Sequence, residues 1–352
     1  GSFVQPFNIA DGIELGKNNS MIIDGDSLVT EQDYMPLWFS GNETVSASAV
    51  FTGYGFSINE KEIKWNDYSG LDVAGKWVIV MRHSPERNNQ HSLYAPHSGL
   101  HKKMLIARDK GAIGIIYVSQ IEDDDLYPLK YRAGFSNAGI PAIHLSNEMA
   151  DKLFKVVGQP RKNIQNKMNK SLKTISFKLP VTINASVDLN PIQTRAANVV
   201  GLIQSGNRKY RNEYVVIGAH FDHLGMGGTG TGSRKPDTTG THSGADDNAS
   251  GTSGLLEVAH KLVSQKSRLK RSIILLGFDA EEKGLLGAKY FVDNPLFDLN
   301  KIVAMMNLDM IGRMKDSSVT VGGVGTSPLF EPLLKKESIG RNFTLNMTKP
   351  GY

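Results

Sequence analysis

Four short runs in the second half of the chain carry side chains that can hold cations and move protons. They are His220-Phe221-Asp222-His223, Gly244-Ala245-Asp246-Asp247-Asn248-Ala249-Ser250-Gly251, Asp279-Ala280-Glu281-Glu282 and Asn307-Leu308-Asp309. Carboxylates gathered at one place repel and protonate unless a cation or water screens them. Imidazole and carboxylate without thiolate suit zinc, with manganese and cobalt as alternatives. Asp222 follows His220 by two residues, on the same side of an extended strand, where it can orient the imidazole through its other nitrogen. Of Glu281 and Glu282, one can bind metal while the other, unligated, takes a proton from water. Each run alone has a plain structural reading: a capped turn, a surface acid, or two acids favoured by the dipole at a helix start. Their recurrence at successive strand ends is what points to a shared site.

The elements that must position these residues follow from the apolar pattern. Residues 197–203, 214–220, 272–279 and 302–309 read as strongly apolar strands, and 318–321 as a shorter one. Between them, Leu255, Leu256, Val258, Ala259, Leu262 and Val263 share one face of a helix that Asn248 and Ser250 are placed to cap. A second helix is expected over 282–292. Long apolar strands alternating with helices predict an α/β fold with a mostly parallel sheet covered on both faces. Ligands bind such sheets outside the carboxyl ends of the strands, where all four runs fall. The glycine-rich stretch 225–232 lacks the G-K-[ST] ending of a phosphate loop and reads instead as a mobile loop at the mouth of the site.

Composition excludes several other functions. The chain has 352 residues, 40% hydrophobic and 21% charged, with a net charge of +5 and no cysteine. That removes disulfides, thiolate metal sites and cysteine nucleophiles. Lys and Arg are scattered rather than gathered with aromatic residues, which argues against nucleic-acid binding. No apolar run approaches the roughly 20 residues of a membrane span. Upstream, residues 1–45 hold short extended pieces that look like the edge of a larger unit. Residues 46–165 alternate strands (47–52, 76–81, 113–118, 140–145) with helices (99–110, 147–157), a compact α/β module, and 160–190 read as a basic connector and a strand at 174–179. His83, His91, His97 and His101 show no regular ligand interval, and the acidic run 123–125 lacks the alternating oxygen pattern of a calcium loop.

The four motifs, in this order, resemble the co-catalytic di-zinc aminopeptidases. That superfamily also includes glutamate carboxypeptidase, plasma carboxypeptidases, glutaminyl cyclases and the catalytically inactive transferrin receptor. Residues 46–165 resemble the protease-associated domain that some members carry as an insertion, which leaves 1–45 and 166–352 as the zinc peptidase domain. The resemblance implies two Zn2+ bridged by Asp247, with His220 and Asp309 on one and Glu282 on the other. It also implies Glu281 as general base, Asp222 as the partner of His220, and a cis peptide between Asp247 and Asn248. Asp246 matches a position that binds no metal in the family. The expected substrates are peptides with a free N-terminus, and the expected location is secreted or periplasmic. A carboxypeptidase or dipeptidase, with Arg313 as a candidate for the substrate carboxylate, and a non-catalytic binding homologue are the alternatives. The family's fifth ligand, a histidine in an S-D-H motif after the Asp309 position, has no counterpart before Tyr352. The second metal site is therefore expected to be one histidine short in what reads as a trimmed or nicked piece of a longer enzyme.

Overall fold

The structure is a computed structural model that describes residues 3–89, 91–123, 126–131, 137, 139–228, 231–235 and 237–349. It divides into two compact units, residues 10–194 and residues 1–9 with 195–352.

The first unit is built on an eight-stranded mixed sheet. Its order is Asp26–Leu28, Ser20–Ile23, Ser176–Ser186, Thr44–Thr52, Trp77–Met81, Gly114–Val118, Ala142–Leu145 and Tyr34–Pro36. The four strands from Thr44–Thr52 to Ala142–Leu145 run parallel. Every residue of Trp77–Met81 and Gly114–Val118 is buried, because both faces of the sheet are covered. Trp77, Ile79 and Met81 join one core while Val78 and Val80 join the other, as alternation along a strand requires. This unit is wider than the expected 46–165, since Ser20–Ile23 and Ser176–Ser186 hydrogen-bond into the same sheet. The expected basic connector begins as a helix, Arg161–Ser171, that buries Ile164 and Met168 on one stripe.

The second unit carries a five-stranded sheet in the order Val4–Leu15, Leu189–Ile203, Ser272–Phe278, Tyr214–His220, Ile302–Asn307. The last three strands run parallel, and Leu189–Ile203 pairs antiparallel with Ser272–Phe278. The sheet is thus mixed, with a parallel part at the edge that bears the acids and histidines. Val216, Ile274, Leu276 and Phe278 pack on one face with Phe291 of the helix Leu286–Asp293. Ile217, Ala219 and Ile273 pack on the other with Leu255 of the helix Gly251–Ser264. A helix therefore lies on each face, and the carboxyl ends of three parallel strands are left facing outward.

Candidate metal centre

His220 is the last residue of its strand, and its side chain is only 2% exposed. Its Nδ1 lies 3.1 Å from the Asp222 carbonyl oxygen, which can only accept. That contact puts the proton on Nδ1 and leaves the Nε2 lone pair free, the form of imidazole that binds metal. Nε2 faces Asp247 Oδ1 at 3.3 Å, Asp309 Oδ1 at 3.6 Å and Glu281 Oε2 at 3.9 Å. Donor atoms of His220, Asp247 and Asp309 all lie within 4.8 Å of one another. A second set, His223, Asp247 and Glu282, meets the same condition, so Asp247 belongs to both. Both sets offer one imidazole and two carboxylates and no thiolate, a composition that fits zinc.

The turn that carries Asp247 is held by side chains of its own. Ala245–Ser250 is a kinked segment in which Asp247 (φ −104°, ψ 95°) and Asn248 (φ −134°, ψ 41°) leave the helical region. The Asp247–Asn248 peptide is cis, the feature that the resemblance implied. Buried Asn248 donates from Nδ2 to the Leu308 carbonyl at 3.0 Å. Its Oδ1 accepts from the N–H groups of Gly251 at 3.0 Å and Met310 at 3.2 Å. One amide thus ties the Asp247 turn, the start of the helix and the Asp309 segment together. Asp246 faces the other way and accepts from the Gly312 N–H at 2.9 Å and Arg313 Nε at 2.6 Å. The Arg313 guanidinium beside Asp246 holds that carboxyl below its ordinary range. Thr252 Oγ1 donates to the His220 carbonyl at 2.9 Å, which joins the helix to the His220 strand.

Asp222 does something other than the sequence suggested. Its carboxylate is 3.8 Å from His220 Nδ1, beyond hydrogen-bond reach. It instead accepts from the backbone N–H groups of Glu281 at 2.9 Å and Glu282 at 3.2 Å. The two glutamates therefore sit on a turn clamped by Asp222, and the helix starts at Leu286 rather than at residue 282. Burial pushes the Glu281 carboxyl above its ordinary value; neighbouring Glu282, Asp222 and Asp309 add to the rise and His220 opposes it. A carboxylate with raised proton affinity, beside the donors yet in neither set, is the arrangement a general base needs.

The structure brings His220, Asp247 and Asp309 together in one group and Glu282 with Asp247 in the other. His223, to which the motifs assigned no role, has its Nδ1 2.6 Å from Glu282 Oε1. Its only signal was a place three residues after His220 in the same run. The upstream histidines join no such group among the described residues: His83 faces Asp123 and His97 faces Glu60. In the acidic run 123–125 the last two residues, and in the loop 225–232 residues 229–230, lie outside the described residues.

Residues 198–348 match the model of Peptidase family M28, and residues 42–153 match the PA domain. Aminopeptidase YwaD of Bacillus subtilis (strain 168) is 26% identical over 213 residues, covering 60% of this chain and 37% of that protein. Leucine aminopeptidase 2 of Trichophyton equinum is 29% identical over 325 residues, covering 88% of this chain and 54% of that protein. The chain thus spans about half or less of the length of these curated relatives. A solved structure of a zinc aminopeptidase from Bacillus subtilis is 22% identical with a TM-score of 0.48, covering 99% of this chain and 69% of that one. The match to Peptidase family M28 thus falls where the four motifs lie, and the match to the PA domain where the α/β module lies.

Proposed function

We propose that this chain carries the catalytic centre of a zinc-dependent aminopeptidase, which hydrolyses the peptide bond after a free N-terminal residue. One observation carries the reading: two donor sets share Asp247, and Glu281, a member of neither, stands beside them with a raised proton affinity. Two zinc ions bound there would supply Lewis acidity toward a water molecule and toward the scissile carbonyl. His220, Asp247 and Asp309 would hold one ion, and Asp247 with Glu282 the other. The Glu281 carboxylate takes the proton from the attacking water and passes it to the nitrogen of the leaving amine. Asp222 fixes the turn on which Glu281 and Glu282 stand. The free α-amine of the substrate would bind at one of the two ions, which would restrict the reaction to the N-terminal residue.

A carboxypeptidase or dipeptidase would need a free cation for the substrate carboxylate, and Arg313 is already paired with Asp246. The retained acids and Glu281 speak against a purely binding homologue. A secreted or periplasmic location is part of the proposal on the resemblance alone; no helix of the described residues is long and apolar enough to cross a membrane. Turnover of an N-terminally free chromogenic amide, compared with a C-terminally free dipeptide, tests the substrate class. Glu281→Ala should lower turnover of the amide by at least about 100-fold while zinc content stays near that of the native protein. Asp247→Ala should lose zinc. Near-native turnover in Glu281→Ala would overturn the assignment.

A further inference from the structure

We propose that the unit of residues 10–194 holds a site of its own for a peptide arginine, whose guanidinium enters a cavity at the carboxyl ends of two parallel strands. Residues of this unit alone form the site, and the proposal does not depend on the metallopeptidase reading.

The cavity has a volume of about 450 Å³, within the range of ligand pockets, and Glu86, Arg87, Gln120, Glu122 and Asn169 line it. Glu86 and Arg87 follow the strand Trp77–Met81, and Gln120 and Glu122 follow its parallel neighbour Gly114–Val118. Sheets of this kind place their ligands outside the carboxyl ends of such strands. Buried polar groups hold these ends in place. Lys103, with no exposed surface, donates to the carbonyls of Met81 and His83, each at 2.7 Å. Gln120 is equally buried, and its Nε2 donates to the carbonyls of Ser84 at 2.8 Å and Arg82 at 3.3 Å. It also donates to the Tyr54 hydroxyl at 3.2 Å, which in turn donates to Asn169 Oδ1 at 2.5 Å. The two carbonyls fix which end of the Gln120 amide is the donor. Its Oε1 is left with no donor among the described residues. A buried acceptor without a donor is costly, and a ligand rich in donors removes that cost.

Charge selects the ligand. Glu86 accepts from Ser92 Oγ and Glu122 from Gln165 Nε2, both at 2.8 Å. Neither carboxylate has a paired cation among the described residues, and the lining cation, Arg87, is bonded to Asp123. The cavity therefore offers two uncompensated carboxylates and an open amide oxygen. A guanidinium answers all three, because it carries a positive charge and five N–H donors in a planar fork, with no acceptor.

The plain competitor is a pair of solvated acids on two loops. Calorimetric titration of the intact protein with N-acetyl-glycyl-arginyl-glycinamide separates the two readings. Its blocked termini remove it from aminopeptidase turnover, and its citrulline counterpart keeps the shape without the charge. The arginine peptide should bind with a Kd below about 1 mM, and the citrulline peptide at least about 10-fold more weakly. Glu86→Gln combined with Glu122→Gln keeps oxygens that can accept from Ser92 and Gln165 but removes both charges. This variant should bind the arginine peptide at least about 10-fold more weakly, with the urea midpoint by tryptophan emission unchanged. Equal affinity for the two peptides, native affinity in the double variant, or no binding at about 10 mM peptide would overturn the proposal. Zinc content and turnover of the chromogenic amide, read on the same samples, judge the metallopeptidase reading separately.

Discussion

A carboxylate that binds no metal can still decide whether a metal site works. The two oxygens of Asp222 accept from the N–H groups of Glu281 and Glu282, so one side chain sets the position of the proposed base and of a proposed metal ligand. Removing it leaves two amides unpaired in a half-buried turn, at a cost of about 1–3 kcal/mol. The cost falls on a feature that must hold two carboxylates still. Asp222→Ala should therefore lower turnover and zinc affinity by about 10–100-fold, the range seen when outer partners of metal ligands are lost. Asp222→Asn retains one acceptor and should fall between the two. Native turnover in Asp222→Ala would mean that the turn is held by other contacts. The spacing in the sequence placed Asp222 on the His220 side of the strand. It could not show that the carboxylate turns to amides 59 and 60 residues away.

Strand ends were the legible elements, because buried strands read as unbroken apolar runs and the polar residues after them stand out. Tyr214–His220 lies where the pattern put it, and the acids follow the neighbouring strands. Helix starts were harder. Glu281 and Glu282 read as a first helical turn, yet the tertiary clamp of Asp222, with Gly284 at φ +104° and Leu285 at φ +60°, delays the helix to Leu286. The helix Arg161–Ser171 was hidden for a related reason: its first residue is a buried arginine satisfied by Asp151, Asn147 and Ser119. Such partners are distant contacts that local sequence does not carry. The helix Gly251–Ser264 offers a direct test of how tightly an element must dock to serve the site. Gly251 has helical dihedrals (φ −65°, ψ −43°), so alanine there gains about 1 kcal/mol of helix propensity. Its Cβ, however, would meet the Leu308 carbonyl oxygen and the Asn248 amide, the groups that join the Asp247 turn to the Asp309 segment. Overpacking against backbone costs about 1–3 kcal/mol, so the clash wins. Gly251→Ala should lower the urea midpoint of unfolding and reduce bound zinc. Gly254→Ala, on the same helix, meets only side-chain tips, Ile311 Cδ1 at 2.7 Å and Leu308 Cδ1 at 3.5 Å. It should be neutral or slightly stabilising, with zinc content unchanged.

The two units differ in how they treat charge, and this gives each its own response to pH. Residues 10–194 bury Asp67, Lys103, His144 and Arg161, whereas the acids of the candidate centre remain partly exposed. His144 is fully buried, accepts from the Tyr127 N–H at Nδ1 (2.8 Å) and meets Ser119 Oγ at Nε2 (3.0 Å). A proton on Nδ1 would turn an acceptor toward a donor. Burial, with Arg82 and Arg161 adding and Asp123 opposing, lowers its pKa to about 3. The ordinary value near 6.5 holds in the unfolded chain, so acid protonates the unfolded state first. The stability that the neutral ring contributes is complete above about pH 6.5 and is lost as pH falls toward 3. Between pH 7 and pH 5 the loss is about 2 kcal/mol. Asp67, which burial raises to about 7, has the opposite sign: its contribution is full below about pH 4 and declines as pH rises through 7. A comparison with His144→Gln cancels this, since Asp67 is common to both proteins. A chain of two units need not unfold in one step, but all three tryptophans, Trp38, Trp65 and Trp77, lie in residues 10–194. Tryptophan emission during urea unfolding therefore follows that unit. Moving from pH 7 to pH 5 should destabilise the native protein by about 2 kcal/mol more than His144→Gln. Equal pH dependence in the two proteins would show that His144 takes up its proton without unfolding the sheet around it.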